Sequence, residues 1–250
     1  LEKVKGLVFR NIPFGESSLI LQVFTLELGL QSFLWKGAKK ARSKNTSPAQ
    51  ALNPVELVAY PPKTGDLYLV KEIKAHPVYQ NIPFHILKTS MVLFLDEVLI
   101  KSIRHHQKDP ALFDFISNAL SWLDISTGAL ANYHILFLMQ LSRYLGFHPS
   151  LEHNWEIKED IRNEKIFFDL KNGIFLDKAP YHNAYIGYPN SLHLLRLWNL
   201  NFESGESYRL DRKSRLEILE ILIDYYRFHI DGFGIVKSLE VLTQVFDENE

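Results

Sequence analysis

Cysteine is absent from the 250 residues, and methionine occurs only twice. The first absence excludes disulfides, thiolate zinc sites and thiol nucleophiles together, and it agrees with a reducing compartment. No apolar run approaches the ~20 residues that span a bilayer; Met91–Leu95 and Ile135–Met139 are typical of what occurs. The opening Leu1–Val8 alternates polar and apolar residues and lacks the apolar core of a signal peptide. A soluble cytoplasmic protein is the expectation. Three chemical signatures are also missing: the Gly-x4-Gly-Lys-Ser/Thr phosphate cradle, the three-glycine dinucleotide fingerprint and the Gly-x-Ser-x-Gly nucleophile elbow. No base, nucleophile and oxyanion donor assemble, so the expectation is a protein that is not an enzyme and needs no cofactor.

Charge is present in near balance but unevenly placed. The net charge is −1, yet residues 1–80 sum to +5 and residues 81–250 to −6. Between Glu27 and Glu56 no acid interrupts Lys36, Lys39, Lys40, Arg42 and Lys44. Such a one-sign cluster either attracts polyanions or simply solvates a loop.

Hydrophobic periodicity divides the chain near residue 80. Before it, period-2 patterning predicts strands over Val4–Ile12, Leu19–Thr25, Leu30–Lys36, Val55–Tyr60 and Leu67–Lys74, separated by turn signals such as Pro61–Asp66. Five short strands in this span suit a closed five-stranded barrel of the oligonucleotide-binding (OB) type. After it, the spacing turns helical. Helices are predicted over Phe84–His105, 110–123 behind an Asp109-Pro110 start, 129–145, 191–200, 213–230 and 238–246. Asn172-Gly173, between alternating apolar runs, predicts a hairpin inserted within about 150–185. The expected class is therefore mixed α+β, with a barrel domain over 1–80 and a mainly helical domain over 81–250.

Phe9, Phe33, Trp35, Tyr60 and Tyr68 are interleaved with Arg10, Lys36, Lys63 and Lys71. Aromatic platforms beside cations are what single-stranded nucleic acid requires. Equally, alternation points half of each strand inward, which would put about three of the five rings in the barrel core. Ten histidines raise the question of a metal. His148, His153, His182 and His193 form a candidate set, and surface histidines are the ordinary alternative.

Several segments in order resemble one bacterial family, the RecO recombination and repair proteins. Gly6-Leu7-Val8-Phe9-Arg10 followed by Phe14-Gly15-Glu16-Ser17-Ser18-Leu19-Ile20-Leu21 is similar to its opening two strands. Phe24–Leu30, Lys36-Gly37-Ala38-Lys39-Lys40 and Leu52–Leu57 resemble its next signatures, and Lys237–Leu242 its carboxy-terminal motif. Many members carry a four-cysteine zinc module near the position of 148–182; this chain has no cysteine, so zinc is not carried over. The resemblance implies a recombination mediator that binds single- and double-stranded DNA and anneals complementary strands. It also implies work with RecR to load RecA onto DNA coated with single-strand-binding protein, whose acidic tail some members dock on the helical domain. Candidate DNA contacts are Arg10, Phe33, Trp35, Lys36, Lys39, Lys40, Arg42, Lys44, Lys63 and Lys71. Candidate tail contacts are Lys101, Arg104 and Arg143, on apolar helices. An adaptor joining RecR to single-strand-binding protein, with little DNA affinity of its own, is the competing expectation, and a metal-dependent nuclease a third.

Overall fold

The computed structural model describes residues 1–38, 47–104, 107–128, 130–151 and 166–249. They contain strands β1 Glu2–Phe14, β2 Ser18–Thr25, β3 Gly29–Trp35, β4 Pro54–Tyr60 and β5 Leu67–Ala75, then helices α1 Ile86–Ser102, α2 Pro110–Ile125 and α3 Tyr133–Tyr144. Short strands β6 Ser150–Leu151, β7 Phe167–Asp169, β8 Ile174–Leu176 and β9 Tyr185–Ile186 follow, and then helices α4 Asn190–Trp198, α5 Phe202–Gly205, α6 Arg212–His229 and α7 Ser238–Asn249. The class is mixed α+β. Two compact units form: Leu1–Ser126 with Val236–Glu250, and Thr127–Ile235. The change of periodicity near residue 80 falls inside the first.

In the first unit, β1 to β5 close into a barrel in the order β1-β2-β3-β5-β4, the order of an OB barrel. The five predicted strands are present, with ends shifted by a few residues. β1 is the longest because it serves two partners: Glu2–Leu7 pair with β4, and Gly6–Phe14 with β2. The crossover lies at Gly6, where a Cβ would stand 2.3 Å from a Val23 methyl. Register shifts at Val8/Arg10 and Val58/Ala59 add the local bend that closure requires. Parallel pairing of β3 with β5, from Ser32↔Leu67 to Leu34↔Leu69, seals the barrel. Inward residues of every strand, including Val4, Val8, Leu21, Val23, Phe33, Val55, Leu57 and Ala59, form its core. Phe9 is buried outside that core; it stacks on Phe24, which meets Phe113 of α2.

The helices of this unit are held by caps and by two carboxylates. Asp109 accepts from the Leu112 N–H at 3.0 Å, and Pro110 occupies the first turn. Glu97 of α1 accepts from the backbone of Lys237 and Ser238 and from the Ser238 hydroxyl. An anion thereby meets the free N–H groups that begin α7. The buried carboxylate of Asp124 at the end of α2 accepts three backbone N–H groups, from Gln80, Asn81 and Ile82.

The second unit centres on aromatic rings. Phe147, Phe168, Phe175, Trp198, Tyr225 and Tyr226 meet in a chain of ring contacts 4.6–5.6 Å apart. Tyr226 donates to the Leu138 carbonyl at 2.7 Å, so its buried hydroxyl is satisfied. The predicted Asn172-Gly173 hairpin is β7–β8, and it belongs to a four-stranded sheet of order β6-β8-β7-β9. Asp169 organises its turn: one carboxylate oxygen accepts from the N–H of Lys171 and Asn172, the other from the Asn172 amide and His182 Nε2. Burial pulls that carboxyl upward, and these hydrogen bonds overcome it, holding the group below the usual carboxylate range.

Gly173 has φ +65, and a Cβ there would lie 2.5 Å from the Tyr225 hydroxyl. Gly173→Ala combines left-handed strain with a clash and is expected to cost about 2–3 kcal/mol. A thermal melt of the full chain should show the midpoint lowered by roughly 5–10 °C.

Candidate nucleic-acid interface

A groove of about 810 Å³ crosses β1, β4 and β5 of the barrel. Alternation sends Lys3 and Lys5 outward from β1 on either side of buried Val4. Antiparallel register then sets Lys5 opposite Glu56, and Glu56 opposite Lys74, so one row of alternating charge runs across three strands. A second row joins Lys3, Val58 and Glu72. Trp35, at the end of β3, packs against the edge of the barrel core and also lines the groove.

Ion pairing nearly balances this charge. Lys74 lies 2.7 Å from Glu56 and Lys71 lies 3.6 Å from Glu72. The Lys74 hydrogen bond, with Lys74, His76 and Lys5 nearby, outweighs desolvation and keeps the Glu56 carboxyl below its ordinary range. Glu27, also on the rim, accepts the Lys5 backbone N–H at 2.9 Å. Lys3 and Lys5 make no ion pair among the described residues.

The expected contact residues are distributed as follows. Trp35 and Lys71 line the groove. Lys36 and Lys63 are exposed, at the end of β3 and in the β4–β5 turn. Arg10 is exposed but on the side of β1 facing Asp96 of α1; burial pushes the Asp96 carboxyl up to about 8, and Arg10 draws it back. Phe33 is a correction. It is fully buried against Tyr68 in the barrel core, with no face left for a base, because it points inward one step before the core ends. Phe9 is likewise buried, whereas Tyr60 is 46 % exposed. Lys39, Lys40, Arg42 and Lys44 lie outside the described residues. Lys3, Lys5 and Lys74 were missed by sequence reasoning. Their signal was the alternation of lysine with apolar residues along β1 and β5, which no linear cluster announces.

Lys101 and Arg104 belong to the first unit and Arg143 to the second. Lys101 pairs with Glu97 at 3.5 Å, and Arg104 donates to the Lys101 carbonyl. Arg143 donates to His148 Nε2 at 3.3 Å. The histidines do not converge. His148 is bound by Trp198, Arg143 and the Met139 carbonyl, His182 by Asp169 and Ala184, and His193 by Tyr208. His153 lies outside the described residues. No three His, Asp or Glu among the described residues are placed to hold a metal ion.

Residues 1–79 match the family model described as Recombination protein O N terminal, and residues 83–239 that described as Recombination protein O C terminal. A DNA repair protein RecO of Flavobacterium psychrophilum is 34% identical over 247 residues, covering 98% of each chain. The protein of that name from Bacteroides fragilis is 34% identical over 251 residues, 99% of this chain and 100% of the relative. That from Phocaeicola vulgatus is 31% identical over 98% of this chain and 99% of the relative.

Proposed function

The chain belongs to the RecO family, and from that premise we propose that it is a DNA repair and recombination mediator that binds DNA through its barrel. The observation that carries this reading is the closed five-stranded barrel in the order β1-β2-β3-β5-β4, an architecture suited to oligonucleotides. The surplus of +5 in residues 1–80 supports it. Annealing follows from charge neutralisation: a protein that engages two strands lowers the repulsion between them without covalent chemistry. The division of labour we propose follows the change in periodicity. Residues 1–80 take DNA, and residues 81–250 take RecR and the tail of single-strand-binding protein, with RecA loaded in consequence. Lys101 and Arg104 are the tail contacts we favour in the first unit, and Arg143 in the second.

If three to five phosphates are engaged, single-strand affinity should fall with a log–log salt slope of about −2 to −3.5. Fluorescence anisotropy with a labelled single strand at several salt concentrations measures it. In the Lys39→Ala/Lys40→Ala/Arg42→Ala variant the slope should flatten by up to about 2. An unchanged slope would remove the basic segment from the mechanism. The −6 balance of residues 81–250 favours the second reading, an adaptor. That reading requires weak DNA affinity throughout and firm binding of an acidic tail peptide.

A further inference from the structure

The outward faces of β2 and β3, with the β1–β2 and β4–β5 turns, are where barrels of this order ordinarily receive oligonucleotides. Here those two strands, SLILQVFT and GLQSFLW, contain no charged residue at all. The β1–β2 turn carries Glu16, and the β4–β5 turn sets Lys63 against Asp66. Lys3 and Lys5 of β1 and Lys71 and Lys74 of β5 stand instead around the groove that Trp35 lines.

We propose that the groove across β1, β4 and β5 is a nucleotide subsite, taking one unstacked base of single-stranded DNA against Trp35 while Lys3 and Lys5 hold its flanking phosphates. The proposal rests on the reading that the barrel binds DNA, and it moves the contact to a different face. The groove's charge decides between a base and a run of phosphates. Four lysines face three glutamates, and Lys71 and Lys74 are already paired with Glu72 and Glu56. A phosphate track needs surplus cations along its length. A single nucleotide needs a flat apolar surface, one or two free cations and hydrogen-bond acceptors, and the groove holds all three.

Trp35 is held on one side by the barrel core, so little conformational freedom is lost when a base stacks on it. Glu56 and Glu72 present carboxylate oxygens, which accept from the exocyclic amino groups of cytosine and adenine, whereas thymine carries the acceptor O4 in that place and offers only its ring N3–H. The volume, about 810 Å³, lies within the range of small-molecule sites. The subsite therefore prefers amino-bearing bases to thymine.

The test uses the full chain and three labelled single strands of equal length: oligodeoxycytidylate, oligothymidylate and an abasic oligomer of the same charge. The wild type should bind oligodeoxycytidylate about 5- to 100-fold more tightly than the abasic strand, with oligothymidylate between them. Trp35→Leu keeps an apolar group against the core and should bring oligodeoxycytidylate and the abasic strand to within about twofold of each other. Lys3→Glu/Lys5→Glu, at exposed positions that do not support the core, should weaken all three strands at least tenfold and steepens no base preference. Wild-type affinity in Lys3→Glu/Lys5→Glu, or equal wild-type binding of the abasic strand, would overturn the subsite and leave DNA binding by the barrel intact. Failure of the wild type to bind any strand would overturn the functional reading itself.

Discussion

Asp124→Ala is expected to destabilise the unit that carries the barrel by about 3–4 kcal/mol. The carboxylate is 5 % exposed and accepts from Gln80, Asn81 and Ile82 N–H groups, each at 2.8 Å. Removing it orphans three buried or half-buried donors at once. Lys88, whose ammonium donates to the carbonyls of Asp124 and Ser126, also loses the nearest anion. Burial pulls the Asp124 carboxyl up, but the Gln80, Ile82 and Asn81 bonds, helped by Lys88, hold it below the ordinary value. Its folded pKa is therefore lower than its unfolded one. The stability it supplies is complete above the unfolded carboxylate pKa of about 3.9 and is lost as pH falls through the folded value. Urea unfolding at pH 7 should show the full deficit in Asp124→Ala, and the deficit should shrink in strong acid. Asp124→Asn, which keeps one acceptor oxygen without the charge, should fall between. A loss below about 1 kcal/mol at pH 7 would mean that the residue is not a hub.

Acid should weaken the second unit well above the carboxylate range. His134 is 1 % exposed, and burial, with Arg215 adding repulsion, lowers its pKa to about 3. His148 and His193 are lowered as well, chiefly by burial, with Arg143 and Arg196 respectively contributing. A histidine kept neutral in the fold binds its proton only on unfolding. Stability is then highest above the unfolded pKa of about 6.5 and declines as pH drops toward the folded value. For His134 alone the loss between pH 6.5 and 3 is on the order of 4 kcal/mol. Denaturation curves across this range should show stability falling by about 1.4 kcal/mol per pH unit on account of His134, with His148 and His193 acting in the same direction. In His134→Asn the slope should decrease by about that amount, whatever the variant's stability at neutral pH. An unchanged slope would mean that the ring already titrates normally in the folded chain.

Both hubs left traces in the sequence that local patterning alone could not interpret. Asp124 stands in the last turn of α2, where the helix dipole opposes an anion. That anomaly marks a carboxylate with a compensating partner, but not the partner's address more than forty residues earlier. His134 sits among the continuous apolar residues of α3, a pattern that predicts burial and hence a neutral ring. The hairpin was legible because Asn172-Gly173 is a local signal for left-handed backbone, and Gly173 does adopt it. Phe33 and Trp35 share the parity of one strand, yet the first is sealed in the core and the second reaches the groove. Alternation gives the side of the sheet, not where the core ends.

By itself, the sequence determined the five barrel strands, the β7–β8 hairpin and every helix but α5, that five strands precede the helices, and that no disulfide is possible. These properties depend on periods of two and 3.6 residues, on caps and turns, and on composition, all of which act over short distances along the chain. Only the tertiary structure decided the closure of β3 on β5, the return of α7 to Glu97 and the row Lys5–Glu56–Lys74. Each joins residues far apart in sequence through hydrogen-bonded register or a half-buried carboxylate. A shift of one residue in that register would turn every side chain of a strand to the opposite face, so a groove assembled across strands exists only once the barrel has closed.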